Sequence, residues 1–174
     1  MLVLRCTQKL LKRIGTADAD PPPSTTALGD WFAQPLSVGH QRYILLASEH
    51  SRLPILMPAR DVKHLADNFP EALFGMLLAV GVPISAVERE VTAASDIVIA
   101  ATNNRSVLGT LNDYSRMLQW TMPKRPNADL MDVSLWLADT PVRPIDGFPD
   151  KVTRELFGEG KPRLRLIRGG TPSP

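Results

Sequence analysis

The residues best suited to chemistry gather between Asp96 and Trp120. There an apolar run, Ile97 to Ala101, meets the polar junction Thr102-Asn103-Asn104-Arg105, and a mixed polar and apolar repeat continues to Trp120. Asparagine is a favoured helix cap, and the free amides of a first helical turn, at the positive end of the dipole, attract an anion. At about 100° per residue, Val107, Leu111, Tyr114 and Leu118 form one face of the helix, and Arg105, Gly109, Asn112 and Arg116 form the opposite face. A guanidinium at Arg105 can hold a phosphate or carboxylate in a fork, with Asn112 and Arg116 reading the rest of the ligand. Asn103, Asn104, Arg105, Asn112 and Arg116 are therefore the predicted ligand-binding residues. A glycine inside a helix costs about 1 kcal/mol relative to alanine, so Gly109 predicts the close approach of backbone or ligand.

A structural account of the same residues carries more weight. In it an asparagine caps the helix, Gly109 lets the helix cross another element, Arg105 pairs with Asp113 or a distant carboxylate, and Asn112 ties down a loop. Polar ties of this kind are common where a helix is sandwiched. The junction has no Walker-type glycines and lysine.

Other chemistries find less support. His40, His50 and His64 are scattered, and none has a second ligand at metal spacing, so no metal site and no cofactor are expected. The chain has no Gly-x-Ser-x-Gly elbow, no His-Glu-x-x-His and no dinucleotide glycine fingerprint. Glu88 and Glu90 stand two apart on a helix and face different ways, which argues against paired acid-base work. The single cysteine, Cys6, excludes an internal disulfide and reads as a small buried strand residue. Trp31, Trp120 and Trp136 are far apart in sequence and form no recognisable stacking platform.

These residues need a scaffold, and the composition supplies one. The chain has 174 residues, of which 44% are hydrophobic and 22% charged, with a formal charge of +2. That is the profile of a globular domain with a real core. The mild basic bias permits a nucleic-acid partner without requiring one. The longest apolar stretch, Ala72 to Val82, is too short to span a bilayer, the start lacks the order of a signal peptide, and a cytoplasmic setting without a membrane partner is expected.

Leu2 to Cys6 reads as a strand, followed by a short helix to Ile14 and a Pro-rich loop. Three strands, Asp30 to Val38, Gln41 to Ser48 and Leu53 to Met57, follow at hairpin spacing, with Pro54 favouring an edge. Asp61 can cap a helix through Ala66, Pro70 opens a second, Ser85 begins a third, and Ile97 to Ala101 precedes the helix Ser106 to Trp120. Residues 123–128 read as a linker. Leu130 to Ala138 fits either alternation or a helix stopped before Pro141, with the helix preferred, and another helix is expected over Pro149 to Phe157. The expected class is α+β: a small antiparallel sheet, made of the meander, the N-terminal strand and the late strand, covered by helices. The expected units are a core at 1–122, a helical extension at 129–168 and a disordered tail at 169–174. The alternation in Lys161-Pro162-Arg163-Leu164-Arg165-Leu166-Ile167-Arg168 reads as a charged edge strand, with a phosphate-tracking strip as the alternative.

Three segments carry a resemblance. Arg5-Cys6-Thr7-Gln8-Lys9-Leu10-Leu11, Leu28-Gly29-Asp30-Trp31 and Asn104-Arg105-Ser106-Val107-Leu108-Gly109-Thr110-Leu111-Asn112-Asp113 resemble a small bacterial family of unknown function, over the chain up to about Trp120. Leu137-Ala138-Asp139-Thr140-Pro141 is similar to a feature of some members. The resemblance implies no activity and no residue roles; it supports Met1 to Met122 as one folded unit.

Three functional readings stand. The first is a small intracellular binding or regulatory domain recognising a protein or an anionic ligand. The second is an enzyme acting on a phosphorylated or nucleotide substrate, with Arg105 stabilising charge and Asp113 or Asp30 as base. The third is nucleic-acid binding through the N-terminal basic helix and the C-terminal arginines. Oligomeric state is not legible in the sequence.

Overall fold

The computed structural model describes residues 1–60 and 62–158. The strands are β1 (Leu2–Cys6), β2 (Trp31–Val38), β3 (Gln41–Ser48), β4 (Pro54–Pro58) and β5 (Ile97–Ala101). The helices are α1 (Gln8–Ile14), α2 (Leu65–Val80), α3 (Ile84–Ala93), α4 (Arg105–Thr121), α5 (Leu130–Ala138) and α6 (Pro149–Leu156). Asp61, the expected cap, and the basic and terminal runs beyond Gly158 lie outside the described residues.

The α+β class holds, and the sheet is mixed rather than antiparallel throughout. Its order is β4-β3-β2-β1-β5. The hairpins make β2, β3 and β4 antiparallel, whereas β1 runs parallel to both of its neighbours. The connections dictate this: a tight turn reverses a strand, but a crossover through α1 and its long loop, or through α2 and α3, returns the chain to the same end of the sheet.

Alternating side chains feed two cores. On one face Leu2, Leu4, Trp31, Ala33, Ile44 and Leu46 pack with α1, α2 and α3. On the other Phe32, Leu36, Leu45 and Leu56 meet Val107, Leu111, Tyr114 and Leu118 of α4 and Val133 and Leu137 of α5. The outer edge is covered as well: Leu56 N–H of β4 donates to Ser134 Oγ of α5 at 3.0 Å. That pairing removes an exposed strand donor. Pro54 lies on this edge strand, as expected.

One helix replaces the two expected around Pro70. After a 3-10 turn at Val62–His64, α2 runs through Pro70 without a break. Leu65, Phe69, Leu73, Met76, Leu77 and Val80 are all buried, and this continuous apolar face outweighs the hydrogen bond that proline cannot make. Phe74, whose spacing after Pro70 groups it with Leu73, Leu77 and Leu78 as core-facing, is 36% exposed. Leu130–Ala138 resolves as a helix, capped by Asp129, whose carboxylate accepts from Met131 N and Asp132 N.

Cys6 is free and fully buried, and burial pushes its thiol up from 9.0 to about 12. The unfolded chain loses this proton near its ordinary pKa, while the folded chain keeps it. Between about 9 and about 12 the folded state therefore binds more protons, and the stability present below that window declines as pH rises. A thiol reagent at pH 8 is expected to leave the folded protein unlabelled and to react fully in denaturant. Rapid labelling of the folded protein would show that the pocket around Cys6 opens.

Candidate functional site

The core face of α4 fixes where its polar strip points. Val107, Leu111, Tyr114 and Leu118 face the sheet, so Arg105, Gly109, Asn112 and Arg116, half a turn away, face solvent. A Cβ built on Gly109 meets no protein atom within 4 Å, so no neighbouring element approaches there. Arg116 pairs with Asp113, an exposed contact within the helix. Asn104 is the cap: its side-chain oxygen accepts from Ser106 N at 3.0 Å and Val107 N at 3.3 Å. Asn103 and Arg105 are exposed. The five predicted residues thus divide among a cap, the surface and, for Asn112, the wall of a cleft.

Beneath the first turn of α4 lies a polar network that sequence reasoning missed. Arg52, in the β3–β4 turn, is 6% exposed and adopts φ 58°. Its guanidinium donates to Glu49 O and, at 3.1 Å, to Ser106 Oγ. Tyr114 Oη donates to Arg52 O at 2.9 Å. Burial lowers the pKa of Arg52, with Glu49 acting in the opposite direction, and burial also pushes the Tyr114 phenol up. A cation is unfavourable beside a helix N-terminus. Glu49 supplies the counter-charge, accepting from Asp30 N at 3.3 Å and Asn104 Nδ2 at 3.5 Å. Asp30 in turn pairs with Arg5 and accepts from Ser24 Oγ at 2.6 Å. The network ties β1, the loop before β2, the β3–β4 turn and α4 together, and within it Arg52 Nε is buried without a hydrogen-bond partner.

An open cleft forms where the β1–β2 ladder stops. Thr7 N donates to Ala33 O at 3.1 Å, which places the polar backbone groups of residue 33, and by alternation those of residues 35 and 37, on the β1 side of β2. The next rung would need an N–H at position 35, and Pro35 has none. Thr7 O accepts from Leu10 N and Leu11 N instead, which starts α1. From Gln34 onward β2 therefore runs past the end of β1 with one edge unpaired, as a proline in a strand requires. The chain leaves β1 toward one face as α1, and α4 lies on the other face. Such divergence beyond the ends of parallel strands is where open sheets hold ligands.

The cleft encloses about 440 Å³ and is walled by Thr7 and Lys9, by Gln34 and Ser37 of β2, and by Asn112 and Ser115 of α4. Gln34 Nε2 donates to Ser115 Oγ at 2.8 Å, which fixes one amide. Thr7 Oγ1 is buried and has no hydrogen-bond partner. Lys9 is the one charged residue of the wall. Hydroxyls and amides with a single ammonium can bind and orient a polar, anionic molecule. The wall contains no carboxylate, histidine or cysteine to move a proton or act as nucleophile.

Asp30 and Asp113, the candidate bases, pair with Arg5 and Arg116 and are not part of this wall. His64 contacts Asp67 at 3.2 Å, and His50 Nδ1 lies 2.9 Å from Ala27 O. Among the described residues no three metal-ligating side chains converge. Glu90, on a different face of α3 from Glu88, is 3% exposed and accepts from Ala27 N at 2.8 Å and Leu28 N at 3.0 Å. No described helix is long and apolar enough to cross a membrane.

Comparison with known families gives one match, to a family model described as Domain of unknown function (DUF6933), over residues 3–152. The match takes in β1 from Val3, the whole of β2 to β5 and all of α1 to α5. No curated protein matches the chain.

Proposed function

This chain belongs to the DUF6933 family, a domain of unknown function, and we propose that it is a small intracellular binding or regulatory domain whose cleft between α1 and α4 receives a small polar ligand with one anionic group. The supporting observation is a cleft beside an unpaired strand edge, walled by hydroxyls and amides with Lys9 as its one charged residue. Lys9 supplies the charge, and Asn112 and Ser37 read the polar remainder. Of the residues that the sequence singled out, Asn112 takes part directly. Asn104 acts by capping α4, Arg105 adds positive charge at the surface, and Arg116 is paired with Asp113.

Thr7→Val and Lys9→Gln test this reading, with L-glutamate and inorganic phosphate as probes in calorimetric titrations. Thr7→Val keeps the side-chain shape and removes the orphan hydroxyl, so the protein is expected to be as stable as the parent or slightly more so. Lys9→Gln, at an exposed position, is expected to keep the fold and to weaken probe binding about 5- to 10-fold, the worth of one charge-assisted hydrogen bond at a partly open site. Equal probe affinity in parent and both variants would remove the cleft from consideration.

A further inference from the structure

The opposite flank of α4 carries a second hollow, of different chemistry. It encloses about 490 Å³ and is lined by Met117, Trp120 and Thr121 of α4, Lys124 and Arg125 of the following turn, and Trp136 of α5. The two indoles, 16 residues apart in sequence, meet at one pocket because α5 folds back beside α4. Trp136 is half-buried and packs against the second core, which makes it a fixed wall. Trp120 is 74% exposed, a large apolar surface that folding leaves in water. Lys124 Nζ stands 4.1 Å from the Trp120 ring centroid. This cation–π contact covers one face of the indole, so a stacking partner takes the other.

We propose that this hollow is a nucleotide site, in which a nucleobase stacks on Trp120 against the Trp136 wall and the phosphate is held by Lys124. The volume is that of a small-ligand pocket. Its lining has no acidic residue, so its charge is complementary to an anion. Paired aromatic and cationic side chains are the arrangement that reads a flat base through its π-face and a phosphate through its charge. Thr121 adds a hydroxyl for the sugar or phosphate. The site is separate from the cleft beside α1: the two flanks of α4 face opposite ways, and the lining residues do not overlap. Failure of either proposal leaves the other standing.

The test is calorimetric titration of the full chain with adenosine 5′-monophosphate, adenosine, ribose 5-phosphate and a ten-residue oligodeoxyadenylate. Adenosine monophosphate is expected to bind saturably, adenosine more weakly and ribose phosphate not measurably. Trp120→Leu is expected to weaken the nucleotide at least ~10-fold, the loss of one base-stacking contact. Lys124→Gln is expected to abolish the difference between nucleotide and nucleoside. Both positions lie on the surface, so an unchanged melting curve shows that the fold is intact. An oligonucleotide that binds more tightly per site, with affinity falling steeply in salt, identifies a single strand as the source of the base; equal affinities identify a free nucleotide. Absence of binding by both, binding unaffected by Trp120→Leu, or preference for an acidic peptide over the nucleotide overturns the proposal.

Discussion

Glu90→Ala is expected to destabilise the protein by about 3 kcal/mol, lowering the melting temperature by roughly 6–12 °C for a domain of this size. The carboxylate is 3% exposed and accepts the amides of Ala27 and Leu28, which no other acceptor serves. Truncation leaves both donors dry, at about 1–3 kcal/mol for each fully buried group, less what water recovers at the partly buried Ala27. The consequence extends beyond α3. The loop held by Glu90 carries Ser24 and Asp30 to Arg5, and so positions the start of β2. Glu90→Gln retains one acceptor oxygen and is expected to lose less. Urea unfolding checks the order; an alanine variant within 0.5 kcal/mol of the parent would show that this loop is anchored elsewhere.

The second large effect is expected at Arg5. Its Nε donates to Asp30, its Nη1 donates to Ala101 O at 3.1 Å, and the two side chains of the pair are 14% and 13% exposed. Arg5→Met removes the cation and leaves a nearly buried carboxylate with only Ser24 and solvent to stabilise it. Breaking such a pair costs about 3–5 kcal/mol when it is fully dry, and the residual exposure here places the expectation at about 2–3 kcal/mol. Replacing both partners, Arg5→Met with Asp30→Asn, is expected to recover at least half of that loss, because the uncompensated charge is gone. A double variant as unstable as the sum of the singles would mean that the two residues act independently.

The sequence made some of this legible and hid the rest for physical reasons. Hydrophobic periodicity located every strand and the helix after β5, because β1 and β5 are short apolar runs and β2, β3 and β4 are separated by turn residues at hairpin spacing. It also separated the two faces of α4 correctly. Periodicity does not say what lies beyond the polar face, and with the core on one side Arg105, Gly109 and Arg116 had to face water. The parallel pairing of β1 was hidden because crossovers are long-range, whereas hairpins announce themselves at their turns. Pro35 carried a local signal for the end of the β1–β2 ladder, yet it reads as such only once β1 is known to be the neighbour of β2. Thr7, Lys9, Gln34 and Asn112 come from three separate segments and carry no mutual spacing rule. Trp120 and Trp136 looked unrelated for the same reason. The burial of Glu90 and Arg52 left no mark in the sequence, since no local pattern announces that a helix face or a turn will be buried by a distant loop or helix.

The cleft between α1 and α4, rather than the exposed strip of α4, is the proposed ligand site. A ¹H–¹⁵N correlation spectrum followed through a titration with L-glutamate tests it most directly. Amides at Lys9, Gln34, Ser37, Asn112 and Ser115 are expected to move together on one saturable curve, and Lys9→Gln is expected to shift that curve to higher glutamate concentration without altering the rest of the spectrum. Shifts centred on Arg105, Gly109 and Arg116, with Ser37 and Lys9 unmoved, would contradict it.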